Sequence, residues 1–188
     1  LEFVKNENNG YINGDTTVDS GATFIYENGN YAELSNNIKG TGSFTKEGKG
    51  TLTIKGDYSG MTGNAAIEEG ILKYIAGNGN YFGGHTLINS NGELIIDTNG
   101  NDITVSDISQ SEQTGGTFRK EGEGTLTLSG NNGSFNGNSY IDKGTLAFSN
   151  AGGSTYFAGA TTIADGAILV YTTGTDATLS NVLGQGTL

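Results

Sequence analysis

The sequence predicts an all-β fold, a β-solenoid in which roughly eight coils of short strands stack on one another. The 188-residue chain contains 33 glycines and no proline, which suits short paired strands joined by tight turns. The stretch TGSFTKEGKGTLTIKG at 41–56 returns as GGTFRKEGEGTLTLSG at 115–130. A shorter unit recurs inside this long repeat: the unit that begins at Met61 returns at Phe82, 82 − 61 = 21 residues later. Strand-rich units of this short period are typical of solenoids.

The shorter unit reads apolar-x-Gly-x-small-x-aliphatic. It occurs five times, at 12–18, 61–67, 82–88, 135–141 and 157–163. Alternate residues of a strand share one face, so the apolar and small positions predict a buried side. The Asn, Asp, Thr and His residues between them predict an exposed side. A β-sandwich or barrel is the other all-β architecture that this pattern allows, and the close repetition favours stacking.

The two copies of the long repeat are offset by 118 − 44 = 74 residues, since Phe118 is the equivalent of Phe44. It divides the chain into a partial repeat at 1–43 and long repeats at about 44–117 and 118–188. We therefore expect residues 1–188 to be a single segment of a longer array. The TKEGKGTLT stretch predicts a turn between two strands, and its recurrence predicts that each long repeat needs the same corner of the solenoid.

These residues resemble the autotransporter-associated β-strand repeat, also called the passenger-associated transport repeat, of bacterial type V secretion. Gly42–Leu72 and Gly116–Leu146 carry the pattern nearly whole, and Phe157–Ile168 and Ile12–Phe24 carry its second half. The first copy departs from the pattern at Met61, which replaces an aromatic residue.

The resemblance implies a right-handed parallel β-helix that is exported across the outer membrane of a Gram-negative cell and displayed at the surface or released. It implies a structural stalk that supports export and presents an adhesin or virulence factor. The alternative is that the segment is itself an adhesive or self-associating module. The repeat carries no catalytic residues to transfer, so the chain is expected not to be an enzyme. A polysaccharide-acting β-helix enzyme is the less favoured alternative, because it would need clustered carboxylates.

Charge and composition restrict the partners. The formal net charge of −11 argues against nucleic acid, which binds clustered Lys and Arg. No run of 18 apolar residues occurs, so we expect no direct membrane insertion of this segment. Candidate partners are a host-cell or bacterial surface and, through head-to-tail stacking of end coils, a second copy of the chain. No cofactor or metal is predicted.

Two kinds of residue are candidates for a functional role. The one histidine, His85, falls on the outward side of its strand and is expected to be solvated. Tyr11, Tyr81 and Tyr156 each precede the first inward residue of a repeat unit, so alternation predicts that they turn outward. Exposed tyrosine can anchor a partner, and the alternative is that each ring lies flat over its neighbouring coil.

Overall fold

The computed structural model describes residues 2–5, 14–77, 81–110, 116–149, 156–172 and 181–188. Within these ranges the chain forms only strands, turns and irregular segments. Among the same residues there is no helix long and apolar enough to cross a membrane.

The strands are short, apart from β8 and β9. In chain order they are β1 (Glu2–Lys5), β2 (Thr16–Thr17), β3 (Thr23–Asn28), β4 (Ala32–Leu34), β5 (Ile38–Lys39), β6 (Ser43–Glu47), β7 (Thr51–Ile54), β8 (Ala65–Ile75), β9 (Thr86–Asp97), β10 (Ile103–Val105), β11 (Ile108–Ser109), β12 (Thr117–Glu121), β13 (Thr125–Leu128), β14 (Asn138–Ile141), β15 (Thr145–Phe148), β16 (Thr161–Ile163), β17 (Ile168–Tyr171) and β18 (Val182–Gly184).

Every strand pair in the described ranges is parallel, and the strands stack in three columns that we name the first, second and third face. The first face runs β1, β3, β6, the first half of β8, the first half of β9, and β11. The second face runs β4, β7, the second halves of β8 and β9, and then β12, β14, β16 and β18. The third face runs β10, β13, β15 and β17. Strands β2 and β5 form a separate pair.

This arrangement confirms the predicted solenoid, with about seven turns where roughly eight were expected. Residues paired between the named strands of successive coils are 20 to 24 positions apart, from Phe24 with Phe44 to Leu94 with Phe118. A coil of this length closes once and returns to the same face, where it pairs with the coil before it.

The core lies between the three faces and is filled by the inward residues of the repeat unit. Ile67, Ile88 and Ile141 are fully buried, as alternation predicted. Aromatic rings from neighbouring coils contact one another in the same interior. The Phe44 ring centroid lies 5.8 Å from that of Phe24 and 5.0 Å from that of Phe82.

The two copies of the long repeat each form a turn between two strands, as the sequence predicts, but they lie on different faces of the solenoid. From Phe44, the stack on the first face leads through Ala65 and Thr86 to Ile108. Phe118 follows Ile108 along the chain and belongs to β12 on the second face. The chain between the two copies therefore makes three coils plus one further side, and the motif rotates by one face around the axis.

Candidate functional site

Each copy of the long repeat builds the same buried corner, which we name the lysine corner. In the first copy it is the turn between β6 and β7, closed by Lys46, which is fully buried. The Lys46 ammonium donates to the carbonyl oxygens of Glu47 and Gly48 at 2.6 Å each and of Glu69 at 3.2 Å. Gly48 supports the turn with a φ of 72°, which favours glycine.

The second lysine corner lies between β12 and β13 and is closed by Lys120, also fully buried. Its ammonium donates to the carbonyl oxygens of Glu121 at 2.9 Å, Gly122 at 2.6 Å and Lys143 at 3.0 Å. It also donates to the hydroxyl of Thr98 on the preceding coil at 2.9 Å. In both corners the ammonium therefore joins its own turn to the next coil through hydrogen bonds.

The electrostatics of the two corners are alike. Burial lowers the pKa of the Lys46 ammonium to about 8, and the nearby carboxylates, Glu69 first, oppose that change. Burial likewise lowers the pKa of the Lys120 ammonium to about 8, against the opposing charges of Asp97 and Glu123.

We expect the free energy of unfolding to rise between pH 8 and about pH 10 and to fall above it. Above pH 8 the folded chain releases the protons of Lys46 and Lys120, while the unfolded chain still holds them. A state that binds fewer protons gains stability as the pH rises. Burial raises the pKa of Tyr58 and Tyr81, so above about pH 10 the unfolded chain loses tyrosine protons that the folded chain keeps.

Urea denaturation from pH 7 to 11 measures this dependence. The rise should disappear in the double variant Lys46→Met, Lys120→Met, and the fall above pH 10 should remain. A wild-type chain whose stability does not rise between pH 8 and 10 would show that both ammonium groups keep their ordinary pKa.

The outward side of the second face carries ion pairs. Arg119 donates to Glu93 at 3.1 Å and to Asp142 at 2.7 Å, and its guanidinium carbon lies 4.7 Å from the ring centroid of Tyr140. These carboxylates hold the pKa of the Arg119 guanidinium above its usual value, Asp142 contributing most. Lys73 pairs with Glu121 at 2.8 Å. Both cations are paired with neighbouring carboxylates. They therefore link strands of this face, and neither is an unpaired positive charge that an anion could bind.

His85 is part of a hydrogen-bonded chain that the sequence analysis did not find. Its Nδ1 lies 2.5 Å from Asp107 Oδ2, and its Nε2 lies 2.6 Å from Ser109 Oγ. The side chain is 29% exposed, so it contacts solvent only in part and is not the freely solvated histidine that the sequence predicted. Serine hydrolases use the same order of groups, but Ser109 is only 4% exposed and its Oγ is closed to a substrate carbonyl. The chain of bonds joins β11 to the coil before it.

The structure gives the three candidate tyrosines different surroundings. Tyr81 is 7% exposed and its hydroxyl lies 2.9 Å from that of Thr86, so the prediction that it turns outward is wrong. Tyr156 is half-buried, with its ring centroid 5.3 Å from that of Tyr171, and its role as a contact residue stays a prediction. Tyr11 lies outside the described residues. In the described part of the chain, no group of three or more His, Cys, Asp and Glu residues is placed to hold a metal.

Comparison with known proteins finds a match for the two segments that contain the lysine corners. The family model named passenger-associated-transport-repeat matches residues 44–73 and 118–148, which contain one corner each. The Adhesin BmaC autotransporter of Brucella suis biovar 1 (strain 1330) is 33% identical over 122 residues, or 64% of this chain and 3% of the adhesin. The chain thus spans a small part of that relative's length. No solved structure matches the chain. As the resemblance predicted, the chain carries two passenger-associated transport repeats, the repeat of autotransporter passengers.

Proposed function

We propose that this chain is a rigid stalk segment of an autotransporter passenger, exported across the outer membrane and held at the cell surface or released. Its task would be to support export and to present an adhesin or virulence factor carried elsewhere in the parent protein. The observation that carries this proposal is the continuous parallel sheet from β1 to β18. Such a stack resists bending because each coil is bonded to the coils on both sides.

The repeat chemistry supports the same proposal. The lysine corners and the inward aliphatic residues fix the cross-section from inside, without any cysteine. Coils about 4.8 Å apart would make a rod of about 35 Å for seven turns. Small-angle scattering should therefore give the profile of a short cylinder.

A swap in the parent protein tests the stalk. Replacing residues 1–188 by an unrelated β-solenoid of equal length should leave adhesion by the parent intact, because a stalk contributes only distance and stiffness. Deleting the segment should lower adhesion by bringing the presented domain closer to the membrane. Loss of adhesion in both variants would contradict the stalk.

The second candidate is an adhesive module, and the name of the relative, an adhesin, favours it. The outward column of the second face differs in chemistry from coil to coil, with Lys73, Ile95, Arg119, Tyr140 and Thr162 in register. Beads coated with the purified chain should bind host cells, glycans or sister bacteria that lack this chain only if this candidate is right. The stalk proposal expects no binding above that of uncoated beads.

A further inference from the structure

We propose that the outward side of the third face is a lateral contact surface on which a second copy of this chain packs, sheet against sheet. A stalk needs no such contact, so this inference goes beyond the proposed function, and its failure would leave the stalk proposal standing.

The parallel register brings small uncharged side chains into two columns on this side of the solenoid. We name the patch that they form the neutral face. One column is Thr104, Thr127, Ala147 and Val170, and the other is Thr125, Thr145 and Ile168.

The neutral face includes aliphatic side chains in contact with solvent. Ile168 is 38% exposed and Val170 is 40% exposed. Ser129 and Ser149 are exposed beside the column that contains Val170 and add hydroxyl groups without charge. Adjacent β-branched and alanine side chains form a flat surface of the kind that packs against another sheet.

The distribution of charge indicates which partner fits. The chain has a formal net charge of −11, so contact between two copies through their acidic surfaces would be repulsive. The ion pairs of Arg119 and Lys73 lie on the second face, whereas the named residues of the neutral face carry no ionisable group. The exposed Asp102 borders the patch on the coil of β10, where its carboxylate accepts from the backbone N–H of Thr125. Two copies that meet over β13, β15 and β17 therefore place no carboxylate of the two columns opposite another. The two columns also lack Trp, Tyr and Arg, the usual anchors for a different protein.

The size of the patch predicts a weak contact. Four coils about 4.8 Å apart and two columns about 7 Å apart cover about 300 Å² per copy once side-chain width is included. Stable interfaces bury about 800 Å² per partner. A pair of isolated chains should therefore associate weakly, and an array of rods held side by side on one cell should associate through many such contacts.

Sedimentation equilibrium across a concentration series tests the proposal, with three variants that each add one carboxylate. Ala147→Glu lies at the centre of the neutral face, and Thr17→Glu is the matched control on exposed β2. Leu183→Glu tests the alternative of head-to-tail stacking, since Leu183 is 59% exposed on the last described coil. We expect weak dimerisation of the wild type that strengthens with salt, a loss of at least tenfold in affinity for Ala147→Glu, and no loss for the other two.

Disulfide trapping gives a second readout, because the chain has no cysteine. Under mild oxidation Ala147→Cys should form covalent dimers and Thr17→Cys should not. Circular dichroism of each variant checks that the fold is kept. The proposal is overturned if the wild type stays monomeric at the highest concentration, if Ala147→Glu associates as the control does, or if only Leu183→Glu lowers the affinity.

Discussion

Replacing Gly137 with alanine is expected to lower the free energy of unfolding by about 3 kcal/mol or more, or to prevent folding of the second repeat. A Cβ atom at this position would lie 2.1 Å from the carbonyl oxygen of Gly116 and 2.7 Å from the ring of Phe135. The next coil repeats the contact, since a Cβ at Gly159 would lie 2.0 Å from the Gly137 carbonyl oxygen. The glycines of successive coils thus lie directly against one another, and any side chain would force two hydrogen-bonded coils apart.

Urea denaturation of Gly137→Ala and Gly29→Ala measures this effect against a matched control. A Cβ at Gly29 would have no neighbour within 4 Å, and its φ is ordinary. The control should therefore change the free energy of unfolding by less than about 1 kcal/mol. Equal stability of the two variants would mean that the coils can separate to admit a methyl group, which would contradict close stacking at the glycine of the repeat unit.

The sequence predicted this solenoid well where the relevant property is local. The inward positions of the repeat unit could be assigned because alternation along a strand needs only neighbouring residues. Met61, Phe82 and Phe135 are all buried to 2% exposure or less, although each lies in a different coil. The glycine two positions later could be recognised as part of the unit, but its contact with the glycine of the coil before it is a property of the stack.

The rotation of the long repeat could not be predicted from the offset between its two copies. The same offset fits three long coils as well as it fits three shorter coils followed by one additional side of the solenoid. Only the pairing of Thr86 with Ile108 gives the coil length there, 108 − 86 = 22 in the numbering, so that β12 falls on the second face. Coil length depends on how much chain each turn needs, and the turns differ from coil to coil.

The error at Tyr81 has a related cause. Alternation assigns opposite sides to Tyr81 and Phe82 only if both belong to an extended strand. In the described residues between Ile75 and Thr86 there is no strand, and both rings point into the core, with centroids 5.1 Å apart at an angle of 86°. Irregular backbone can turn two successive side chains to the same side, so the rule does not apply there.

The buried lysines were missed although the sequence contained a signal for them. Lys46 lies two positions after Phe44, and alternation places both on the inward side of β6. A charged residue is almost never fully buried unless it is paired, which makes an exposed position the ordinary assignment. The recurrence of lysine two positions after Phe118 was the signal, because the second copy keeps the inward charge at Lys120.

Removing the ammonium groups of both lysine corners is expected to lower the free energy of unfolding about as much as the Gly137→Ala substitution does. The double variant Lys46→Met, Lys120→Met keeps the length and apolar stem of each side chain and removes only the charged donor. At Lys46 three carbonyl oxygens lose a donor, and at Lys120 three carbonyl oxygens and the Thr98 hydroxyl lose one. We expect each single variant to lower the free energy of unfolding by about 2 kcal/mol. The carbonyl oxygens left without a donor destabilise the fold, and the removal of a buried charge offsets part of that loss.

The two corners lie on different coils and share no hydrogen-bond partner, so their effects should add to about 4 kcal/mol. Lys49→Met and Lys143→Met are the matched controls, because both lysines are exposed and belong to the same turns or their neighbours. Thermal and urea denaturation at pH 7 should place the controls within about 0.5 kcal/mol of the wild type. If the double variant were instead more stable than the wild type, the desolvation of the ammonium groups would outweigh their hydrogen bonds. The lysines would then be retained for a reason other than stability, such as fixing which turn stacks on which coil.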